Sequence, residues 1–168
     1  VLTTAPIEDS PQTAETPFSG GLVFAEERFI DAWPEFEPLA NAHWLETEMY
    51  HHGEGFDPDL DRYAHFNAIG IYKLFTVRCN GRLVGNCGMY IMPSMHTQKM
   101  NATEDTWFLL PEFRAGRNAI RLHKYVAEQM SFYGAISITM TTKLTNGAGR
   151  ILEYLGYKHV ANHYVKEI

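Results

Sequence analysis

Residues 103–131 read TEDTWFLLPEFRAGRNAIRLHKYVAEQMS. The apolar run Trp107-Phe108-Leu109-Leu110, stopped by Pro111, has the signature of a buried strand that ends in a turn. A short loop with Arg114, Gly116 and Arg117 follows, and then Ala119, Leu122, Val126 and Met130 recur at helical spacing. A strand, a glycine-bearing basic loop and a helix N-terminus in that order make an anion site. The first helical N–H groups lack partners, the helix dipole favours negative charge, and glycine lets the backbone come close. The stretch therefore predicts a phosphorylated cofactor held at the loop.

Upstream, Ile71–Val77 and Leu83–Met92 have strand character and flank Asn80-Gly81, a dipeptide that favours a two-residue hairpin turn. With Pro93–Asn101 as a loop, the pattern predicts three consecutive antiparallel strands running into the anion loop. Leu22–Ala25 is a first short strand. Trp33, Phe36, Leu39, Ala40, Trp44 and Leu45 mark a helix from Asp31, its expected N-cap, to Tyr50, which Pro38 should bend or interrupt. Asp57-Pro58-Asp59-Leu60-Asp61 opens a second helix that ends near Gly70.

Downstream, Ala135–Met140 is β-rich, Asn146–Leu155 is a short helix ending at Gly156, and Tyr157–Val160 with Tyr164–Ile168 reads as a closing hairpin. The expected order is β-α-α-β-β-β-α-β-α-β-β, a mixed α/β domain over residues 21–168. Residues 1–20 carry three prolines and three acids but no basic residue, the composition of an arm that does not order by itself and could lie on a partner.

Composition narrows the function classes. A chain of 168 residues with 45% apolar residues can bury a core as one domain. A net charge of −6 argues against sequence-independent binding to nucleic acid or anionic membrane. No apolar run approaches the roughly 20 residues of a membrane span, and the N-terminus lacks a basic, then apolar, leader. If Asn80-Gly81 makes a two-residue turn, Cys79 faces Arg82 and Cys87 faces Leu74. That is too far for a bridge, so both are expected as buried thiols of a cytoplasmic protein. His51-His52 with Glu54 lacks the partner spacing of a closed metal site, and no metal is expected.

With these elements in hand, the chain resembles the Gcn5-related N-acetyltransferase (GNAT) superfamily over nearly everything after residue 20. That family carries a Gln/Arg-x-x-Gly-x-Gly/Ala loop, and here the loop reads Arg114-Ala115-Gly116-Arg117-Asn118-Ala119. Arg114 and Ala119 match; Arg117 stands where the middle glycine belongs, with Gly116 one residue early. This R-x-G-R-x-A form, with Glu153-Tyr154-Leu155-Gly156-Tyr157 and Tyr164-Val165-Lys166, is similar to acetyltransferase-like proteins encoded by bacteriophages. The resemblance implies a central, mostly antiparallel twisted sheet flanked by helices, with acetyl-CoA as co-substrate and an amine as acceptor. It places the pyrophosphate on the backbone of Arg114, Ala115, Gly116, Arg117, Asn118 and Ala119. The pantetheine arm would lie along Phe108, Leu109 and Leu110, with Asn146 contacting it, where that strand splays from Ile136–Met140.

Acetyl transfer needs a base for the ammonium proton and a proton source for the leaving thiolate. Glu104 lies about where some relatives carry that base, although a solvated carboxylate beside a hairpin turn has the same sequence. Asp105 is the neighbouring alternative and, by strand alternation, is expected to face the other way. His96, in the loop before the strand, titrates in the right range but is equally an ordinary loop histidine. Many relatives place the acid as a Tyr on the last helix, where this chain has Leu152. Tyr154 should lie on another face, and Tyr164 is either a substitute or a packing residue. Two functions follow: an N-acetyltransferase, or a protein that keeps this fold without turnover as a structural component, such as part of a phage particle or a homo-oligomer.

Overall fold

The structure, a computed structural model, describes residues 21–48, 55–144 and 146–166. The expected arm of residues 1–20 and the His51-His52-Glu54 group lie outside them. The chain runs β1 (Leu22–Glu27), α1 (Phe29–Thr47), α2 (Leu60–Ala68), β2 (Tyr72–Cys79), β3 (Arg82–Pro93) and β4 (Met100–Leu109). A 3-10 turn (Pro111–Phe113), α3 (Asn118–Phe132), β5 (Ile138–Thr139) and α4 (Ala148–Tyr154) complete it. The strands form one sheet in the order β1-β2-β3-β4-β5, antiparallel except for the parallel pair β4–β5.

Both faces of the sheet are covered, so its strands read as continuous apolar runs. Tyr72, Leu74, Leu83 and Phe108 pack with Phe29, Phe36 and Leu39 of α1. Their neighbours Phe75, Val77, Val84 and Leu109 pack with Leu122, Val126 and Met130 of α3. Alternation along each strand thus feeds two cores, one per face.

α1 runs unbroken through Pro34 and Pro38, against the expected interruption. Each proline removes a ladder bond and costs about 3 kcal/mol. Full burial of Phe29, Phe36 and Leu39 contributes about 1.5–3 kcal/mol apiece, which offsets that cost. Its N-cap is Arg28 rather than Asp31, which sits in the first turn and pairs with Arg28 at 3.3 Å. α2 starts as expected, with Asp59 accepting a hydrogen bond from the N–H of Arg62 at 3.0 Å.

Asn80 and Gly81 both have positive φ, 50° and 82°, as a two-residue hairpin turn of this kind requires. A bulge at Val77/Arg78 then shifts the register, so Cys87 faces Phe75 rather than Leu74. Both cysteines remain buried free thiols.

The closing hairpin is the main correction. Residues 157–166 form no strand; Val160 is 86% exposed and Tyr164 90% exposed. A two-stranded ribbon without a covered face is marginal in water, and Val160 and Tyr164 of this segment are covered by none of the described residues.

Candidate active site

β4 and β5 pair only at Ala102–Ile138 and Thr103–Thr139 and then part. The fork opens a cleft of about 470 Å³ between β4, the end of α1 and the residues that lead into α4. Past the fork, β4 still pairs with β3, and among the described residues no strand lies on its other side. The N–H of Leu110 donates to the carbonyl of Val84 at 2.9 Å, so ladder alternation turns Phe108 and Leu110 toward β3. Trp107 and Leu109 therefore present their backbone groups to the cleft. Of the three residues expected along the pantetheine arm, Phe108 and Leu109 line the cleft and Leu110 does not, while Trp107 lines it as well.

A second bulge shapes the chemistry. Gly88 opposes Thr106 and Met89 opposes Glu104, leaving Asp105 as the extra residue of β4. Alternation is broken there, and Glu104 and Asp105 both line the cleft instead of facing opposite ways. Gly88, a glycine inside a strand, was the available sign of this irregularity. A Cβ at Gly88 would collide with the Tyr72 hydroxyl and with Thr106 Oγ1, so the tight approach excludes larger residues.

Glu104 sits in the fork itself, its carboxylate accepting a hydrogen bond from the N–H of Thr141 at 3.1 Å. Burial pushes its carboxyl up to about 7, Asp105 and Glu48 push the same way, and the Thr141 bond and Lys143 oppose them. Asp105 is raised as well, mainly by burial, although the Tyr63 phenol donates to its Oδ2 at 3.1 Å. His43, which also lines the cleft, is held below its ordinary value by burial and so is neutral near pH 7. A carboxyl that titrates near neutrality in a cleft suits proton transfer.

The C-terminal end of α1 braces both sides of the fork. Glu46 accepts two hydrogen bonds from the Arg114 guanidinium, at 2.9 and 2.6 Å, and Glu48 pairs with Lys143 beyond β5. Arg114 also donates through Nε to the carbonyl of Leu109 at 2.8 Å. Its guanidinium thus ties the loop to β4 and α1. Gly116 adopts φ +71° with open space where a Cβ would stand. The N–H groups of Asn118, Ala119 and Ile120 have no intrahelical acceptor, because the first bond that α3 receives in this loop is Arg121 N–H to Arg117 carbonyl at 2.9 Å. Ala115, Gly116 and Arg117 are exposed, and the Arg117 side chain makes no ion pair among the described residues. Together the positive-φ glycine, the open amides and the uncommitted Arg117 fit a pyrophosphate.

Ala119 and Asn146 line the cleft, with the Asn146 amide oxygen accepting from the N–H of Ala148 at 3.1 Å. On α4 the lining residues are Ala148 and Ile151; Leu152 is buried outside the lining. His96 stands exposed at the tip of the β3–β4 hairpin and Tyr164 on the free closing segment, and neither lines the cleft. His43, Glu46, Glu48 and Lys143 are the cleft residues that sequence reasoning missed, and Asp105, expected to face away, joins Glu104 there. Among the described residues no cluster of His, Cys, Asp and Glu could hold a metal, and no helix is long and apolar enough to cross a membrane.

No family model and no curated protein matches the sequence. Solved structures do match the fold. The ribosomal-protein-alanine N-acetyltransferase from Brucella melitensis biovar Abortus 2308 is 20% identical, with a TM-score of 0.67 over 88% of this chain and 99% of that one. The aminoglycoside acetyltransferase meta-AAC0020 from an uncultured soil metagenomic sample, in complex with sisomicin, is 11% identical, with a TM-score of 0.70 over 88% and 96%. A GNAT family acetyltransferase from Staphylococcus aureus is 17% identical, with a TM-score of 0.58 over 88% and 98%. At these identities the likeness is one of architecture, and on architecture the chain has the fold of the Gcn5-related N-acetyltransferases.

Proposed function

We propose that this protein transfers an acetyl group from acetyl-CoA to a primary amine. The observation that carries the reading is Glu104: a carboxyl with a value of about 7, at the fork of a split sheet beside an anion-binding loop. Bound acetyl-CoA supplies the activated acetyl group as a thioester. The open amides of the Gly116 loop and Arg117 would hold its phosphates, and Trp107, Leu109 and Asn146 its pantetheine arm. Glu104 accepts the proton that the ammonium form of the acceptor must lose before it can attack.

The acceptor reaches Glu104 through a second cavity of about 690 Å³, which shares His43, Glu48 and Asp105 with the cleft. Its walls are aromatic, with Trp33, Phe56, Tyr63 and Tyr90 among them. Aromatic faces with carboxylates at one end select a cationic amine on an apolar or flat body. Structures of the same fold include a ribosomal-protein-alanine N-acetyltransferase and an aminoglycoside acetyltransferase, and the aromatic chamber here favours an arylalkylamine or an aromatic amino-terminal residue over a polyhydroxylated sugar. The test is release of free thiol from acetyl-CoA with a panel of such amines and aminoglycosides. Turnover with the aromatic amines, lost in Glu104→Gln, supports the reading; no release with any amine counts against it.

A second reading has one observation in its favour. Leu152, at the position of the phenolic acid in many relatives, is buried outside the cleft, and no tyrosine lines the cleft among the described residues. A phage-encoded member of the fold that serves in a particle without turnover would have this form. The chemistry weighs against it, because a thiol near 8.5 leaves as a thiolate without strong acid assistance, whereas a protonated amine cannot attack. Stoichiometric recovery of the chain in purified particles, with no thiol release, would reverse the preference.

A further inference from the structure

The partly exposed carboxylates Glu26, Glu27 and Glu48 each face a cation: Lys73 at 3.2 Å, Arg78 at 2.8 Å, and Lys143. Asp105 has no such partner among the described residues. Its Oδ2 accepts a hydrogen bond from the Tyr63 phenol at 3.1 Å, and among the described residues none reaches Oδ1. Burial raises its carboxyl, while the phenols of Tyr63 and Tyr72 pull the other way. A carboxylate held deep in the protein by neutral donors alone is costly, and a cation beside it lowers the cost.

Several residues fix Asp105 in that position. As the extra residue of the bulge it escapes the ladder. The bulge is pinned where Thr106 Oγ1 accepts from the N–H of Gly88 at 3.0 Å and from Asn86 Nδ2 at 2.8 Å. Asp105 thereby lines both the cleft and the aromatic chamber. Three tyrosine rings gather there, with Tyr72 centred 5.0 Å from Tyr63 and 5.2 Å from Tyr90. The Tyr72 hydroxyl is fully buried on the same wall and has no hydrogen-bond partner. Aromatic rings around a carboxylate that lacks a cation make a cage for an alkylammonium group.

We propose that Asp105 binds the ammonium group of the acceptor and so determines specificity, leaving Glu104 to accept the proton. The assignment rests on the reading of the cleft as an acetyl-transfer site. It narrows the acceptors to amines that are cations in water, alkylamines rather than anilines. The ammonium group sits against Asp105, and the carbon body lies along Trp33, Phe56 and Tyr90. Asp105 stabilises the ammonium before it loses its proton, which is a ground-state contact. Its loss therefore weakens binding of the acceptor and does not slow the bound complex.

Tryptophan fluorescence of the full chain reads binding without acetyl-CoA, since Trp33 and Trp44 line the chamber. The probes are N,N-dimethylphenethylamine, a cation that cannot become an amide, and the neutral phenethyl alcohol. The cation should bind the parent more tightly than the alcohol. Asp105→Asn should weaken the cation alone, by about ten- to a hundred-fold. Tyr63→Phe keeps the ring and removes the donor that orients Asp105. It should weaken the cation by a smaller factor and leave the alcohol unchanged, and it decides the matter if Asp105→Asn does not fold. In turnover, Asp105→Asn should raise KM for phenethylamine without lowering kcat, whereas Glu104→Gln acts on kcat. Equal binding of the two probes by the parent overturns the assignment. So does a charge preference that survives Asp105→Asn, or one lost instead in Glu48→Gln. A preference lost in Asp105→Asn with no thiol release from any amine upholds Asp105 as the cation site and contradicts acetyl transfer, so the two claims fail separately.

Discussion

The Glu104 carboxylate accepts a hydrogen bond from the backbone N–H of Thr141 at 3.1 Å, across the fork where β5 leaves β4. One bond from a neutral donor does not compensate for burial beside Asp105, and the carboxyl is carried up to about 7 from an ordinary 4.5. The Glu104 carboxyl is therefore half ionised near neutral pH. The rate should rise with pH through about 7 and level above it, because the ionised form accepts the proton. Glu104→Gln should lower kcat about 10²- to 10⁴-fold and remove that limb. Initial rates of thiol release against pH check both.

The same shift has a consequence for stability. The folded carboxyl holds its proton more tightly than the unfolded one, so native stability from this group is full below pH 4.5 and is lost as pH rises toward 7. Glu104→Gln removes the charge that burial disfavours. Above pH 7 the variant should be more stable than the parent by about 1–3 kcal/mol, and below pH 4.5 the two should converge. Urea melts at the two ends of the range give the comparison.

The two arginines of the loop should separate. Arg114 is engaged with Glu46 and with the Leu109 carbonyl, so Arg114→Ala should lower the melting temperature of the protein alone. Arg117 makes no such contact, and Arg117→Ala should leave that temperature unchanged while weakening acetyl-CoA binding about ten-fold, the loss of one charge-assisted contact. Thermal melts with and without acetyl-CoA distinguish the two effects.

Restoring a phenol at Leu152 should not restore an acid. Leu152 is 7% exposed and packs away from the cleft, where α4 presents Ala148 and Ile151. Leu152→Tyr overfills that site and should cost about 1–3 kcal/mol with no gain in kcat. A rise in kcat would show that the helix can turn this position into the cleft.

The large elements were legible because their signals are local and strong. Asn80-Gly81, the acids before Leu60, and the spacing of Leu122, Val126 and Met130 each name their structure without help from the rest of the chain. The site was less legible where register decides. Asp105 was expected away from Glu104 because alternation holds in a regular ladder, and a bulge opposite Gly88 is a pairing event between strands. Arg114 read as a phosphate ligand from its loop, yet its partner Glu46 lies 68 residues earlier and only the packing of α1 brings them together. The closing hairpin failed for a related reason: strand-forming residues need a paired edge and a covered face, and among the described residues 157–166 pair with no strand.

In the proposed function, acetyl-CoA lies in the fork between β4 and β5, with its phosphates on the Gly116 loop. Backbone amide spectra of the full chain, recorded while acetyl-CoA is added, test it most directly. Shifts concentrated at Trp107, Leu109, Gly116, Asn118 and Ala119 are the expected result. Saturating acetyl-CoA that leaves these amides unmoved, or that moves a set elsewhere on the sheet, would contradict it.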